Sequence, residues 1–507
     1  MNNELKYAPG LLERARCSRD YWAGYRRERE RNKQFTYGNQ WSDVVDDNGV
    51  LRREEDVIRG QGNLPLKNNL IRRLVRNVLG VYRNRWELPR CVARDAAERI
   101  QAVTMNKLLR YNAQLNRLDE LYARSMEEFL VGGLVVHKKW YGYREGFSDC
   151  RTDMVAPDKF FMDVSSRDFR GGDVSLIGEL HDMTYGEAVA AFGENPVVAE
   201  HMRKQWGNRG FDGFESDRRD CQVVEVWHKA YEARYHCHDM QSGRMLVLKS
   251  PDDVEMIREK VAHGKRCENL FKVTRCVEEV WRYACLTADG VVLASGESPY
   301  AHGRHPYVFK AYPFVDGEIH SFVNDIIDQQ KLTNRLISMY DWILRASAKG
   351  VLLFPEGALP DGVDIADVAE EWSRFNGVIV YRPRTGVPLP QQVSSNSTDI
   401  GITGLLEIQM KMMEDISGVN GALQGKLDNN SMSGTLYNQQ TQNSMTALAD
   451  LMRTFDDFVK EATAVDISNM RQFYTQRRVE AICGEGATIS RSHGNYMHPR
   501  MDFSVEV

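Results

Sequence analysis

The amino-acid sequence predicts an α+β protein that is mainly α-helical. Apolar residues recur at helical spacing over long stretches near both ends of the chain, at 68–131 and 401–478. Between them, residues 221–318 alternate in the manner of strands, with a hairpin turn at 288–290. Residues 320–349 return to helical spacing, and a helix of this length would be a rod of about 45 Å. The class follows from helical regions that flank a smaller strand-rich one.

The length and composition are typical of a folded protein with more than one structural unit. The 507 residues exceed the roughly 100–200 residues of one typical core. The net charge of −5 is unevenly spread: residues 1–110 carry 23 Lys and Arg against 14 Asp and Glu, and the rest of the chain carries 43 against 57. This distribution argues against a protein that binds nucleic acid over its whole surface.

Cysteine usage and hydropathy predict a protein made in a reducing compartment. The nine cysteines are odd in number, irregularly spaced and without a C-x-x-C pair. The first residues lack an apolar run of signal-peptide length, and no stretch approaches the roughly 18–20 apolar residues of a membrane span. We therefore expect a soluble protein of the cytoplasm with no membrane partner.

The N-terminal elements follow from local spacing. Residues 11–35, rich in Arg and Glu, predict a short charged helix, and residues 36–66 are typical of turns. A helix with a wide apolar face is predicted from Asn68, and a second over 96–129. Gly132-Gly133 predicts the end of that second helix.

The middle of the chain combines strands with short helices. The segment LVVHKKWYGY alternates as a strand, and 184–206 predicts a helix broken at Asn195-Pro196. A charged helix is expected over about 252–263, inside the strand-rich region. The helix at 320–349 is expected to bury its apolar side, formed by Phe322, Ile326, Leu332, Leu336, Tyr340 and Ile343.

The C-terminal part is predicted to alternate between loops and helices. GVIVYRP at 377–383 predicts a strand, and the Pro-, Ser-, Gln- and Asn-rich segment 383–400 predicts a long loop. After a helix at 401–417 and a second loop, 433–478 predicts one very long helix, typical of an extended assembly element. We expect the tail, 479–507, to be loosely held.

The strongest candidate for a metal site is His236-Cys237-His238, with His228 and Cys221 upstream. Zinc requires converging ligands, but in a strand His236 and His238 share one face while Cys237 points away. We therefore expect surface histidines, with no metal and no cofactor. The sequence contains neither G-x-x-x-x-G-K-[ST] nor G-x-S-x-G, and we find no catalytic residues.

An ordered set of short segments resembles the portal proteins of tailed bacteriophages, especially the short-tailed type. No single motif is specific, but the order is, and the run with Asp328-Gln329-Gln330 and Asn334 is the most telling. Some family members continue into a long C-terminal helical barrel, which this sequence is not expected to form. The segments are YGNQW at 37–41, the Asn-rich helix start at 68–80, 131–140, 155–163, 305–338 with 317–338 as its most telling part, and ISGVNGALQG at 416–425 with Ser433-Gly434 and a Gln-rich helix after it.

The resemblance implies an elongated subunit of a ring, commonly of twelve copies, and not an enzyme. Such a ring forms at one capsid vertex of the virion, after assembly in the host cytoplasm, and double-stranded DNA is packaged and ejected through its channel. The implied partners are other copies of the chain, the terminase large subunit, head–tail adaptor and tail proteins, and the major capsid and scaffold proteins.

The resemblance also divides the chain into parts by position. These are an N-terminal wing part at 1–165, a passage from wing to stem at 166–220, a strand-rich clip at 221–318, a stem helix at 319–350, a wing and crown part at 351–478, and a C-terminal tail at 479–507.

Two groups of residues are candidates to face DNA in the channel. The resemblance makes 383–400 the candidate tunnel loop, with 424–434 as its rival. Basic side chains on the stem helix are balanced by an acidic body, which suits a bore without tight phosphate pairing; ordinary exposed helix charges are an equally good interpretation. The candidates are Lys331, Arg335, Arg345, Gln391, Gln392, Ser394, Ser395 and Asn396.

Two other functions compete with a DNA-conducting ring. The chain could be another head–tail connector or minor capsid component without a DNA channel, in which the long helices serve assembly alone. It could also be an enzyme with an unfamiliar site among His228, His236 and Cys237. A closed ring with a bore as wide as DNA separates the first alternative from the portal interpretation, and a bound metal would favour the second.

Overall fold

The computed structural model describes most of the chain in two compact units. The larger unit comprises Met1–Lys33, Val75–Asp325 and Gly421–Val507, and the smaller unit comprises Gln34–Leu74 and Ile326–Asn420. The described residues are 5–93, 99–168, 170–206, 221–239, 245–263, 271–349, 351–355, 358–360, 362–373, 378–383, 386, 388–393, 401–419, 442–443, 445–489 and 503–506.

The described helices confirm that much of the chain is helical. They are α1 (Pro9–Tyr21), α2 (Ala23–Tyr37), α3 (Glu54–Gly60), α4 (Leu70–Arg85), α5 (Arg99–Asn116), α6 (Leu118–Gly132), α7 (Tyr185–Phe192), α8 (Pro196–Trp206), α9 (Pro251–His263), α10 (Ile327–Lys349), α11 (Ile365–Ser373), α12 (Ile402–Ser417), α13 (Ala449–Phe473) and α14 (Gln476–Cys483).

The described strands complete an α+β fold, as the sequence predicts. They are β1 (Val44–Asp47), β2 (Val50–Arg53), β3 (Arg90–Ala93), β4 (Leu134–Arg144), β5 (Phe147–Met154), β6 (Phe160–Met162), β7 (Leu176–Met183), β8 (Cys221–Asp239), β9 (Met245–Leu248), β10 (Phe271–Thr287), β11 (Val292–Glu297), β12 (Tyr307–Ala311), β13 (Phe314–Val315), β14 (Glu318–Ile319), β15 (Val351–Leu353), β16 (Gln391–Val393) and β17 (Phe503–Glu506).

The larger unit is organised around a six-stranded sheet. Its order is β11-β10-β8-β7-β6, and β9 pairs with β8 at the end of that strand. The antiparallel pair of β8 and β10 runs from Val223 opposite Thr287 to Asp239 opposite Phe271, a ribbon of about 50 Å. A β10–β11 hairpin confirms the turn predicted at 288–290, where Gly290 adopts φ 87°.

A second sheet of the larger unit, β12-β4-β5, packs against helices through aromatic rings. Phe129 of α6 lies 5.5 Å from Phe455 of α13, measured between ring centroids. His137 of β4 lies between Tyr122, at 5.2 Å, and Phe458, at 4.8 Å. Offset and edge-on aromatic pairs of this kind add stability beyond the area they bury.

The same strand carries a lysine that is fully buried. Lys139 is 0% exposed, and its Nζ donates to Asp466 Oδ2 of α13 at 2.6 Å and to Thr152 Oγ1 of β5 at 2.9 Å. Burial raises the pKa of the Asp466 carboxyl, and the Lys139 ammonium opposes that rise. The pair therefore ties α13 to the sheet, but each charge depends on the other for compensation.

The N-terminal predictions need three corrections. The charged helix predicted over 11–35 is two helices, α1 and α2, which are separated at Trp22. Residues 36–66 are not turns alone, because Asn48 and Gly49, at φ 57° and 84°, form the tight turn of the β1–β2 hairpin, and α3 follows. The helix predicted over 96–129 is two helices, α5 and α6. The break falls at Arg117, which adopts the left-handed conformation at φ 48°.

The glycine pair that was predicted to end a helix does so for a steric reason. Gly133 caps α6 at φ 72°, and a Cβ at this position would lie 2.1 Å from the carbonyl oxygen of His320. Both the backbone conformation and the close approach require glycine. The prediction is confirmed, and the structure adds the contact that the sequence does not show.

The C-terminal predictions also change. The long helix predicted over 433–478 ends at Phe473, because Tyr474 is extended and the Thr475 hydroxyl caps α14; its beginning, 433–441, lies outside the described residues. The tail is not loosely held where it is described, since β17 pairs with β3 and Val479 is fully buried.

The smaller unit contains helices and two short antiparallel strand pairs, β1-β2 and β15-β16. Its longest helix, α10, begins at Ile327 after a 3₁₀ turn, seven residues later than predicted. Residues 378–383 form no strand, whereas Gln391–Val393, inside the predicted loop 383–400, pair with β15. The helix predicted at 401–417 is confirmed as α12.

In the described part of the chain, no helix combines the length and apolar character needed to cross a membrane. The broken helix at 184–206 and the charged helix near 252–263 are confirmed as α7, α8 and α9.

We predict that Lys139→Met destabilises the chain by about 3–5 kcal/mol, because it leaves the Asp466 carboxylate buried without a partner. The double variant Lys139→Met with Asp466→Leu removes both charges and should recover most of that loss. Thermal or urea unfolding of the three proteins measures the difference. A double variant as unstable as Lys139→Met would contradict this account of the pair.

Candidate functional site

Three of the sequence segments that carry the family resemblance meet in the smaller unit, around the side chain of Gln330. Its Oε1 accepts hydrogen bonds from the backbone N–H groups of Leu70 and Ile71, at 2.9 and 3.2 Å. Its Nε2 donates to the backbone oxygen of Asn68 at 2.7 Å and to Asn334 Oδ1 at 2.9 Å. Gln330 therefore caps the N-terminus of α4, where N–H groups have no partner within the helix.

Asn334 extends this network by one helical turn. Its Oδ1 also accepts from the backbone N–H of Asn68 at 3.1 Å, and its Nδ2 donates to Gln40 Oε1 at 2.8 Å. Gln40 Nε2 in turn donates to the Phe35 carbonyl at 2.9 Å and to Asn69 Oδ1 at 3.0 Å. The three amide side chains Gln40, Gln330 and Asn334 are at most 1% exposed. We call these three residues the amide network.

The amide network adds a buried polar stripe to the predicted apolar side of α10. Ile326 and Leu336 are buried as predicted, whereas Leu332, predicted to face inward, is 42% exposed. Gln330, Thr333 and Asn334 are also buried. Polar groups are buried only when their hydrogen bonds are satisfied, and the N-terminus of α4 satisfies them here. The prediction is wrong at Leu332 and lacks the amides, because apolar periodicity does not identify a buried polar stripe.

The two basic channel candidates on α10 with described side chains are both paired. Lys331 Nζ lies 2.6 Å from Asp43 Oδ2, and Arg335 Nη2 lies 2.7 Å from Glu54 Oε1. Lys331 is also 3.9 Å from Glu54 Oε2. Two carboxylates thus balance two cations inside the smaller unit, although the Arg335 side chain remains 54% exposed.

The other channel candidates are separated from this pair in the sequence. Gln391 and Gln392 are exposed on β16, where they pair with Leu353 and Leu352 of β15. Arg345 belongs to α10, but its side chain is not described. Ser394, Ser395 and Asn396 lie outside the described residues, as does the rival loop 424–434. Their role at the channel stays a prediction.

A buried charge cluster in the larger unit was missed by sequence reasoning. Lys138 Nζ on β4 donates to Glu179 Oε1 and Glu225 Oε2, both at 2.6 Å, and His181 Nε2 lies 2.8 Å from Glu225 Oε2. Burial by itself would raise the pKa of Glu225, but Lys138 and His181 outweigh it and hold the pKa well below its usual value. The run His137-Lys138-Lys139 in an otherwise apolar strand was the available signal.

The proposed enzymatic residues do not form one site. His228 and His236 lie eight residues apart on the straight ribbon strand β8, a distance of about 27 Å. Cys237 is buried on the opposite face of the strand from His236. The fold therefore separates the three residues on which an enzymatic interpretation depends.

We predict that Gln330→Ala destabilises the protein by roughly 2–4 kcal/mol, because it leaves two N–H groups of α4 and the Asn68 carbonyl without their hydrogen-bond partner. Gln329→Ala, the same substitution one residue earlier at a half-buried position, should cost less than about 1 kcal/mol. Urea unfolding compares the two variants, and equal losses would show that Gln330 does not act as the cap.

Comparison with known proteins supplies the family. No curated protein matches the chain significantly. A family model described as phage P22-like portal protein matches residues 12–491, which is nearly the whole chain and includes the amide network, both sheets and α13. The match agrees with the resemblance carried by the ordered segments, and on this basis the chain belongs to the P22-like portal protein family of short-tailed phages.

Proposed function

We propose that this chain is one subunit of a closed ring at a capsid vertex, through whose channel double-stranded DNA is packaged and ejected. The observation that carries the proposal is the family match over residues 12–491. A ring of twelve copies is the expected assembly. Its proposed partners are the terminase large subunit during packaging, adaptor and tail proteins afterwards, and the surrounding scaffold and major capsid proteins.

Exposed apolar side chains on α12 support assembly into a ring. Leu405, Ile408, Met412 and Ile416 are each 46–49% exposed, and their three- and four-residue spacing places them on one side of the helix. We call these four residues the α12 stripe. Contiguous apolar stripes on a soluble protein mark surfaces that partners cover. A neighbouring copy of the chain is the proposed cover, since ring subunits present the same surfaces to one another.

The α10 helix carries a second exposed apolar surface. Met339 and Trp342 are 50% and 54% exposed. Leu332, about two helical turns before Met339, is 42% exposed. Because the amide network occupies the buried side of α10, these apolar residues face outward in the isolated subunit. Within the smaller unit α10 packs against α12. The exposed surface of α10 and the α12 stripe therefore belong to one pair of packed helices.

The assignment of chain segments to ring parts extends the proposal. The ribbon of β8 and β10, with α9 and β9, would form the clip that faces the motor and later the tail, and α10 would be the stem helix. Residues 1–165 and 351–478 would build the wing and crown, and residues 166–220 would lead from the wing to the stem. The long ribbon and the exposed α10 surface support this division.

At the channel, we propose surfaces that contact DNA without holding it. Lys331 and Arg335 are each paired with a carboxylate, so they add little net charge to attract phosphates. Gln391 and Gln392, with Ser394, Ser395 and Asn396, would add an uncharged polar surface. Each phosphate neutralised by a protein cation adds salt-sensitive affinity, which would oppose sliding.

We predict that the wild-type chain forms rings and that Ile408→Asp with Met412→Asp prevents their formation. Two carboxylates in the α12 stripe would be buried without partners in each subunit contact. Negative-stain electron microscopy shows the rings and the bore, and light scattering gives their mass.

Lys411→Asp is the matched control, because Lys411 is exposed on another side of the same helix. It should leave both folding and rings intact. If the double variant forms rings as readily as Lys411→Asp, the α12 stripe is not an assembly surface. A wild-type chain that stays monomeric at high concentration and with scaffold protein would favour an accessory head–tail component without a channel.

We predict that Gln391→Lys with Gln392→Lys makes DNA retention by the ring more salt-dependent. The slope of log K against log salt should steepen by up to about 0.9 for each phosphate newly neutralised. Duplex-DNA binding to purified rings at several salt concentrations measures the slope.

The matched control removes a cation without changing the net charge. Asp43→Asn with Lys331→Gln deletes one ion pair and should leave the slope unchanged, because the lysine charge is already compensated. A flatter slope in this control would mean that Lys331 contacts phosphate directly, contrary to the proposal.

A further inference from the structure

Three potential metal ligands converge on one face of the ribbon formed by β8 and β10. We propose that His236, Cys276 and Glu278 bind a divalent transition-metal ion, with zinc as the physiological candidate. Their ligand atoms, His236 Nε2, Cys276 Sγ and a Glu278 carboxylate oxygen, all lie within 4.8 Å of one another. No sequence motif predicts this site, because the ligands come from two strands that are about forty residues apart in the chain.

The strand register explains why these side chains meet. His236 pairs with Thr274, and Arg234 pairs with Cys276, so His236, Cys276 and Glu278 occupy alternate positions on the same face. Cys237, which the sequence placed next to His236, is on the opposite face and is fully buried in a small apolar cluster. The thiol on the face of His236 therefore comes from Cys276 of β10, because Cys237 points to the opposite face.

The distances suit a tetrahedral ion after small side-chain rotations. Zinc binds sulfur at about 2.3 Å and nitrogen or oxygen at about 2.0–2.2 Å, so ligand atoms around it lie roughly 3.3–3.7 Å apart. His236 Nε2 and Glu278 Oε1 now touch as an ion pair, and Cys276 Sγ contacts the Arg234 carbonyl at 3.7 Å. An ion between the three would replace the direct contact of His236 with Glu278.

The surrounding charges favour a cation at this point. Arg234 binds Glu232 and Glu297, and Lys249 also binds Glu297. Within the described residues, those cations are thus committed to other carboxylates, and Glu278 has the imidazole of His236 as its partner. A divalent ion shared by all three ligands would compensate the charge of that carboxylate directly.

The donor set selects the class of ion. A thiolate with an imidazole and a carboxylate suits zinc and disfavours magnesium and calcium, which prefer oxygen ligands alone. The His236 and Glu278 side chains are 13% and 35% exposed, which leaves an approach from solvent and a fourth position for water. Binding requires the Cys276 thiolate, so the thiol proton passes to solvent when the ion enters.

The other convergent cluster in the larger unit offers a useful contrast. Glu179, His181 and Glu225 also approach one another closely. There the Lys138 ammonium already lies 2.6 Å from both carboxylates and supplies the positive charge. Within the described residues, no lysine or arginine forms such an ion pair with Glu278. The proposal is therefore restricted to the ribbon.

The location suggests what the ion would contribute. Toward this end of the ribbon, β8, β9 and α9 share a small core, whose buried members are Cys237, Leu248 and Val254, and Val273 of β10 packs against it. Small units with little buried apolar area gain stability from metal ions. An ion held by His236 on β8 and by Cys276 and Glu278 on β10 would fix the register of the two strands.

The test titrates the full-length chain, purified with a chelator, with Co²⁺ and then with Zn²⁺. Cobalt bound by a thiolate gives a charge-transfer band in the near ultraviolet, and zinc should displace it. We expect one ion per chain and a rise in the melting temperature with zinc. Cys276→Ser should abolish the thiolate band, and His236→Gln and Glu278→Gln should each weaken binding at least about tenfold.

Cys17→Ser is the matched control, since Cys17 is an exposed thiol on α1, remote in sequence from the ribbon. It should bind both metals as the wild type does. The proposal is overturned if the wild type shows no thiolate band, or if Cys276→Ser keeps the band that Cys17→Ser loses. Should Cys276→Ser fail to fold, unchanged zinc affinity in His236→Gln and Glu278→Gln would be equally decisive against the site.

Discussion

The buried N-terminus of α4 is the constraint on which the smaller unit depends. A helix that begins inside a protein presents N–H groups that must find acceptors, and Gln330 provides one for Leu70 and Ile71. The same side chain returns a hydrogen bond to Asn68, and Asn334 links it to Gln40. Segments from three parts of the chain are thereby held together by hydrogen bonds between buried polar groups.

This constraint has a consequence for the outer surface of α10. The buried side of α10 carries the two amides together with Leu336, and Met339 and Trp342 lie on its exposed side. An isolated subunit therefore exposes apolar area that a monomeric protein would normally bury. In the proposed ring, this exposed apolar face of α10 would be available to a neighbouring copy of the chain.

Charge compensation is the second theme of the structure. Lys139 with Asp466, Lys138 with Glu179 and Glu225, and Lys331 with Asp43 all pair opposite charges within a single unit. Pairs such as these add little to net stability compared with apolar residues of the same size, but they specify which elements pack together. For a protein proposed to surround moving DNA, the pairing of Lys331 with Asp43 has a further benefit, because a compensated lysine adds little net charge to bind phosphate.

The sequence by itself determined the fold class, most helices, the long strands of the middle region and the family, because periodicity and ordered local motifs survive in a linear chain. Only the tertiary structure decided that Gln330 and Asn334 are buried against α4, that Lys331 is paired with Asp43, and that His236 lies beside Cys276 and Glu278. The physical reason is that periodicity measures apolar spacing within one element. Hydrogen-bond acceptors, counter-charges and cross-strand neighbours come from distant segments, and their positions exist only after the chain has folded.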